Sequence, residues 1–216
     1  LIPLIGVWDC FGDIDFELLP EKFVLKTNHG SAYNLIVKNK NEMNRSQTKS
    51  KFDFWMKHNY AFVGLELHYM NISRKIIAEK YMEDLVGEFY DYKFFCFNGQ
   101  PRYVWVNIEN GTSNHKRNIY DLDWNLQEYT AGRSPIIPSV EKPEKFEELV
   151  ELTKKLCVEF SFVRVDFYLV NNTIYFGEMT FTPQCGICKW DDKKYDLHYG
   201  SLIELPEKKG IPKREY

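Results

Sequence analysis

Seven short apolar-rich runs, separated by polar stretches, read as β-strands. The runs are residues 22–26 (KFVLK), 33–38 (YNLIVK), 75–81 (KIIAEKY), 91–97 (DYKFFCF), 102–108 (RYVWVNI), 162–170 and 173–181. They are rich in β-branched and aromatic residues and bounded by Asn, Gly and Pro. Asn98-Gly99 reads as a tight turn between two of them. After Pro143 the period lengthens to that of a helix: Phe146, Leu149, Val150, Thr153, Leu156, Cys157 and Phe160 fall on one face, and Pro143 suits the first turn. A second helix is expected around 46–58, where Phe52, Trp55 and Met56 share a face. Residues 110–142 hold Gly, Asn, Ser and Pro with little periodicity and read as a long connection. Antiparallel hairpins interrupted by a few helices predict an α+β protein rather than a doubly wound parallel sheet.

Composition narrows the class. The chain has 216 residues, 44% hydrophobic and 27% charged, enough for one large or two small globular domains. A net charge of −3 argues against a broad basic surface, so no nucleic-acid partner is expected. No apolar run approaches the roughly 18 residues that span a bilayer, and no signal-peptide pattern opens the chain, so stable membrane insertion is not expected and a cytoplasmic location is. The first residue is Leu, which leads to the expectation of a fragment or a lost upstream segment. Five scattered cysteines, an odd number, do not make a disulfide framework. Cys185 and Cys188 form one CxxC with no second ligand pair to complete a zinc site, so free thiols are expected. No GxGxxG and no GxxxxGK[ST] is present.

The candidate chemistry begins in residues 162–181, FVRVDFYLVNNTIYFGEMTF, where Arg164, Asp166 and Glu178 interrupt a stretch apolar on both faces. Arg164 and Asp166 share a strand face, as do Glu178 and Thr180 on the next strand. With a two-residue loop, Asn171-Asn172, Asp166 lies opposite Gly177 and Glu178 points away. With an odd loop, residues 171–173, Asp166 lies opposite Glu178 and Arg164 opposite Thr180. Two carboxylates that close need a positive charge between them, and a divalent cation would supply it. The plainer alternative is an even loop, one solvated carboxylate, and the other paired with Arg164. Oxygen donors from Asp166, Glu178 and Thr180 suit Mg²⁺ completed by phosphate oxygens, hence a nucleotide.

A second candidate lies where the strand ending at Lys26 meets the turn Thr27-Asn28-His29-Gly30-Ser31, before a strand that carries Lys38. Gly30 would let the backbone approach an anion, with Lys26 as a point charge. An ordinary loop, with His29 a local hydrogen-bonder, accounts for the same residues.

Four segments in this order, FVLKTNHGS at 23–31, IIAEKYM at 76–82, DYKFFCFNGQP at 91–101 and FVRVDFYLVNNTIYFGEMTFTPQCG at 162–186, resemble the TupA-like branch of the ATP-grasp proteins, which is associated with bacterial cell-surface polysaccharide synthesis. The resemblance implies an ATP-grasp fold: two α+β subdomains with antiparallel sheets enclosing ATP and Mg²⁺. The expected division is 1–22 as a remnant of, or linker from, a largely absent N-terminal domain, 23–82 as the small subdomain and 83–216 as the large one. Lys26, with the loop through His29, Gly30 and Ser31, resembles the phosphate-contacting segment, and Lys38 joins the nucleotide set. Glu79, Lys80, Tyr81 and Met82 resemble the hinge that meets adenine, and Glu88 is placed near the ribose. Lys93 resembles a basic residue facing the phosphates, Arg164 the arginine that steadies the transferred group, and Asp166 and Glu178 the metal carboxylates. Thr180 stands where many relatives carry an asparagine ligand.

By this resemblance the chain would be an ATP- and Mg²⁺-dependent carboxylate-amine ligase working through an acylphosphate. Its partners would be a polysaccharide or sugar-acid acceptor and an amine donor. The aromatic residues, 16% of the chain, include rings available for stacking on sugars. Two other readings stay open: a glycosyltransferase using a sugar nucleotide in polysaccharide synthesis, and a non-catalytic nucleotide-binding module.

Overall fold

The structure, a computed structural model, describes residues 1–82, 90–108 and 113–205. The chain divides into two compact units, Leu1–Leu85 and Val86–Tyr216. Each is built on one antiparallel sheet, in agreement with the α+β expectation.

In the first unit β1 (Leu4–Trp8), β2 (Phe23–Thr27), β3 (Asn34–Val37) and β4 (Ile76–Lys80) form a sheet in the order β1-β4-β2-β3. One face of it carries Phe23, Leu25, Val37, Ile76 and Ala78, and α1 (Arg45–Lys57) lays Phe52 and Trp55 against them. Asn44 starts that helix by accepting a hydrogen bond from the Gln47 N–H, a cap worth about 1 kcal/mol. Phe52 is fully buried, which contributes on the order of 2–3 kcal/mol. Residues 1–22, expected as a remnant or linker, instead complete this unit: β1 is an edge strand, and Phe11, Ile14, Phe16 and Leu19 are buried in its core.

The sheet of the second unit runs β7-β6-β5-β8-β9, from β5 (Asp91–Phe97), β6 (Gln100–Ile108), β7 (Lys116–Asp121), β8 (Phe162–Val170) and β9 (Thr173–Thr180). On one face α2 (Phe146–Cys157) packs Phe146, Leu149 and Val150 onto Phe94, Val104, Val106, Val165 and Phe167. Thr153, inside that interface, is satisfied by donating its hydroxyl to the Leu149 carbonyl. Part of the opposite face is covered by Tyr129, Ala131 and Tyr199, the last from α3 (Lys193–Ser201). The rest of that face carries charge.

The expected connection over 110–142 contains β7, and it is held down by polar bonds that apolar periodicity does not reveal. The Asn118 side chain bonds both the carbonyl and the N–H of Ile136, and the Tyr120 hydroxyl does the same with Val140. Asn98 and Gly99 adopt φ of 50° and 73°, the left-handed pair that a type I′ hairpin turn requires. All five cysteines are free. Among the described residues no helix is long and apolar enough to cross a membrane.

Candidate functional site

The hairpin β8-β9 settles the question of the loop. Asn171 and Asn172 both have positive φ, 48° and 58°, and Val170 pairs with Thr173, so the turn has two residues and the odd loop over 171–173 does not form. Yet Arg164 still pairs with Thr180, because Phe167 pairs with Phe176 while Val165 pairs with Met179. One extra residue is therefore inserted in β9 opposite Asp166, as a β-bulge at Gly177-Glu178. The bulge restores below it the register that an odd loop would have set. It also uses a glycine for a reason: a Cβ at position 177 would stand 3.1 Å from the Asp166 carbonyl oxygen.

The result is one face on which the charged residues meet. The Arg164 guanidinium grips Asp166 with two bonds, Nε to Oδ1 at 2.7 Å and Nη2 to Oδ2 at 2.6 Å. The same Nη2 reaches Glu178 Oε1 at 2.8 Å and Thr180 Oγ1 at 2.9 Å. The Thr180 hydroxyl also donates to Glu178 Oε1 at 2.7 Å. Directly across from Asp166 on β5, Lys93 places Nζ 2.5 Å from Asp166 Oδ2 and 2.8 Å from Asp91 Oδ2. The positive charge between the two carboxylates is thus the chain's own arginine. Burial opposes the charge on Arg164, but Asp166 and then Glu178 outweigh it and hold its pKa above the ordinary arginine value. Asp91 is pushed upward, first by burial and also by Asp166, against the pull of Lys93.

Asp166, Glu178 and Thr180 offer hard oxygen donors, the kind Mg²⁺ takes, and the Glu178 side chain is 61% exposed and can be approached from solvent. Among the described residues no group of three or more His, Cys, Asp or Glu side chains is placed to hold a metal ion.

In the first unit the structure brings together Lys26 and Glu79, with Nζ 2.7 Å from Oε2. They lie diagonally across β2 and β4 on the face away from the core. Leu4, Val7 and Ile36 share that face by register and are about half exposed, so the ion pair stands on an open apolar floor. The other expected residues are placed differently. His29 is 2% exposed, its Nε2 is 3.1 Å from the Trp55 carbonyl, and burial lowers its pKa, so its ring is an interior group. At Gly30 an added Cβ would meet the Tyr60 ring at 2.7 Å and the Tyr33 ring at 2.9 Å, so the missing side chain makes room for tyrosines. Ser31, Lys38 and Lys80 are exposed, and Tyr81 and Met82 are half-buried just past β4. Glu88 lies outside the described residues.

Three residues that pattern reading missed complete the charged face. Asp91 shares the Lys93 face by simple alternation, a signal available in DYKFF. Arg117 and His115 belong to the stretch read as connection. The Asn107 side-chain oxygen accepts from Arg117 Nε at 2.8 Å and from His115 Nε2 at 2.9 Å, which makes Nε2 the protonated nitrogen. Burial, then Arg117, Arg133 and Lys93, push the His115 pKa down to about 4. Beside these residues a cavity of about 420 Å³ opens, walled by aromatic rings and reached by Lys93 and Arg164.

A model of the TupA-like ATPgrasp family matches residues 1–204. No curated protein matches the chain. Among solved structures, D-alanine–D-alanine ligase from Bacillus anthracis is 19% identical with a TM-score of 0.47, over 88% of this chain and 55% of that one. N5-carboxyaminoimidazole synthase from Aspergillus clavatus, in complex with ADP and 5-aminoimidazole ribonucleotide, is 11% identical with a TM-score of 0.45, over 83% of this chain and 40% of that one. The ATP-grasp ligase PsnB, complexed with a minimal precursor, is 11% identical with a TM-score of 0.41, over 83% and 46%. The chain spans about half the length of these proteins.

Proposed function

Because the chain belongs to the TupA-like ATP-grasp family, we propose that it provides the nucleotide site of an ATP-dependent ligase joining a carboxylate to an amine during synthesis of a cell-surface polysaccharide. The acceptor would be a sugar acid of a capsule or teichuronopeptide-like polymer. The observation that carries the reading is the face on which Lys93, Arg164, Asp166, Glu178 and Thr180 converge through the Gly177 bulge.

In the proposed reaction an oxygen of the acceptor carboxylate attacks the γ-phosphorus of ATP, the bond to the bridging oxygen breaks, and ADP leaves with that electron pair. The amine then attacks the acyl carbon of the acylphosphate, the carbon–oxygen bond to phosphate breaks, and the nitrogen loses a proton. Negative charge builds on the transferring oxygens in the first step, and fixed cations stabilise it because they need not reorganise. Arg164 and Lys93 are such cations: Asp166 holds both in place. Asp166, Glu178 and Thr180 would hold Mg²⁺, which when bound neutralises phosphate oxygens. No protein nucleophile takes part, which agrees with the lack of a Ser-His-Asp or Cys-His set in the sequence.

The test is titration of the protein with ATP in the presence and absence of Mg²⁺, with UDP-glucose as competitor, on the parent and on Asp166→Asn and Glu178→Gln. Expected are Mg²⁺-dependent ATP binding, at least tenfold weaker in both variants, and phosphate release that requires a carboxylic acid and an amine. Equal binding by the variants would remove the metal assignment. Preference for UDP-glucose over ATP would replace the ligase with a glycosyltransferase.

A further inference from the structure

Arg117 is 3% exposed, yet among the described residues it makes no ion pair. Its bonds go to neutral oxygens: Asn107 Oδ1 at 2.8 Å, and the Thr130 and Ala131 carbonyls at 3.5 and 3.4 Å. Its guanidinium carbon lies 4.1 Å from the centre of the Trp105 ring. A buried cation is costly without a counter-charge, and a guanidinium presents a planar fork that matches a carboxylate. The other two cations that reach the cavity, Lys93 and Arg164, are already neutralised by Asp91, Asp166 and Glu178. His115 is neutral near pH 7, and Asp196, the acid lining the cavity, is exposed. Among the cations lining the cavity, Arg117 is therefore the one with no carboxylate bonded to it among the described residues.

The walls say what the anion is attached to. Trp105, Trp190, Tyr199, Phe95 and Phe162 present rings to the space. A volume of about 420 Å³ falls in the range of small-molecule sites. Aromatic walls favour a body with flat apolar faces, which is a ring rather than a flexible polar chain. We propose that this cavity binds a ring-bearing carboxylic acid, with the carboxylate on Arg117 and the ring against the tryptophan and tyrosine walls. Two kinds of molecule share that chemistry, a sugar acid and an aromatic acid. That the bound molecule is the acceptor rests on the ligase proposal; that the cavity binds it does not.

The experiment reads quenching of tryptophan fluorescence, for which Trp105 and Trp190 are the local reporters, in protein without nucleotide. The probes are glucuronate and benzoate, with glucose and benzamide as their neutral counterparts. Saturable quenching is expected from at least one acid, at least tenfold tighter than from its neutral counterpart. Arg117→Gln and Arg117→Lys should each weaken it at least tenfold, with circular dichroism confirming the fold. Trp190→Ala, at a half-buried wall position, should weaken both the acid and any residual neutral binding. Glucuronate tighter than benzoate identifies a sugar acid, and the reverse an aromatic acid. No saturable quenching by either acid, equal affinity for acids and neutral molecules, or a folded Arg117 variant that binds as the parent does would each overturn the proposal. Because no ATP is present, loss of the ligase reading would leave this result standing, and the converse also holds.

Discussion

Gly177→Ala is a small change aimed at the one residue that sets the register of the charged face. The new Cβ would meet the Asp166 carbonyl oxygen at 3.1 Å and the Tyr168 ring at 3.3 Å. Both contacts are tighter than ordinary packing, and the first is to backbone that is tied into β5 on its other side. Relief requires the bulge to open by a few tenths of an ångström, which for an overpacked site costs about 1–3 kcal/mol. In a protein of this size, 2 kcal/mol lowers the melting temperature by about 4–8 °C. The displaced strand carries Glu178 away from Arg164, so Mg²⁺-dependent ATP binding should weaken together with stability. Asn172→Gly serves as control, since φ of 58° suits glycine, and it should leave both readings within error of the parent. If Gly177→Ala melts with the parent and binds Mg²⁺ and ATP as tightly, the bulge does not hold the site in place and the argument fails.

Three more outcomes follow from the same geometry. Arg164→Met leaves Asp166, 1% exposed, with Lys93 alone, and should cost about 3 kcal/mol by urea denaturation, most of it recovered in Arg164→Met/Asp166→Leu; a loss under about 1 kcal/mol would show that Lys93 suffices. His29 and His115 both have folded pKa values below the unfolded 6.5, so their penalty is absent above pH 6.5, grows as pH falls, and for His115 is complete near pH 4. The free energy of unfolding should therefore fall faster between pH 6.5 and 4 in the parent than in His115→Gln, by at most about 1.4 kcal/mol per pH unit, and parallel profiles would refute the assignment; Asp91, raised and acting in the opposite sense, is common to both proteins. In alkylation of the native protein Cys10 should react first and Cys96 and Cys157 only on unfolding, because burial removes access and raises their thiol pKa; early labelling of Cys96 would contradict the packing of α2 on the sheet.

Strand existence was legible because seven runs were rich in β-branched and aromatic residues and bounded by turn residues, and α2 because its apolar face kept one period over its whole length. β1 and β7 were not. β1 is an edge strand whose Leu4 and Val7 are both exposed, so burial writes no alternation into it. β7 is buried through Asn118 and Arg117, whose partners lie outside the strand and leave no trace in local hydropathy. In β9 a strict period of two puts Phe176 and Glu178 on one face. The structure instead sends both Phe176 and Met179 to the core, three residues apart, and gives Glu178 to the charged face. Lys93, Arg164, Asp166, Glu178 and Thr180 could be named from the sequence; Asp91, His115 and Arg117 were missed, and the way they all meet could not be read, since a bulge is a backbone decision with only a glycine to announce it. At the turn 27–31, His29 and Gly30 have the composition of an anion loop, and the structure adds that their side-chain space is taken by Trp55, Tyr33 and Tyr60.

The arginine between Asp166 and Glu178 has a bearing on how this hairpin lives in the cell. A face whose carboxylates already have cations bonded to them can fold with no ion or nucleotide at hand, and a chelator should leave it standing. Any cation that arrives must take its place by exchange with a guanidinium, so its hold is set by the difference between two attractions. Under the proposed function, such a site would stay shut to stray metal and would open to metal that brings phosphates able to engage the displaced arginine.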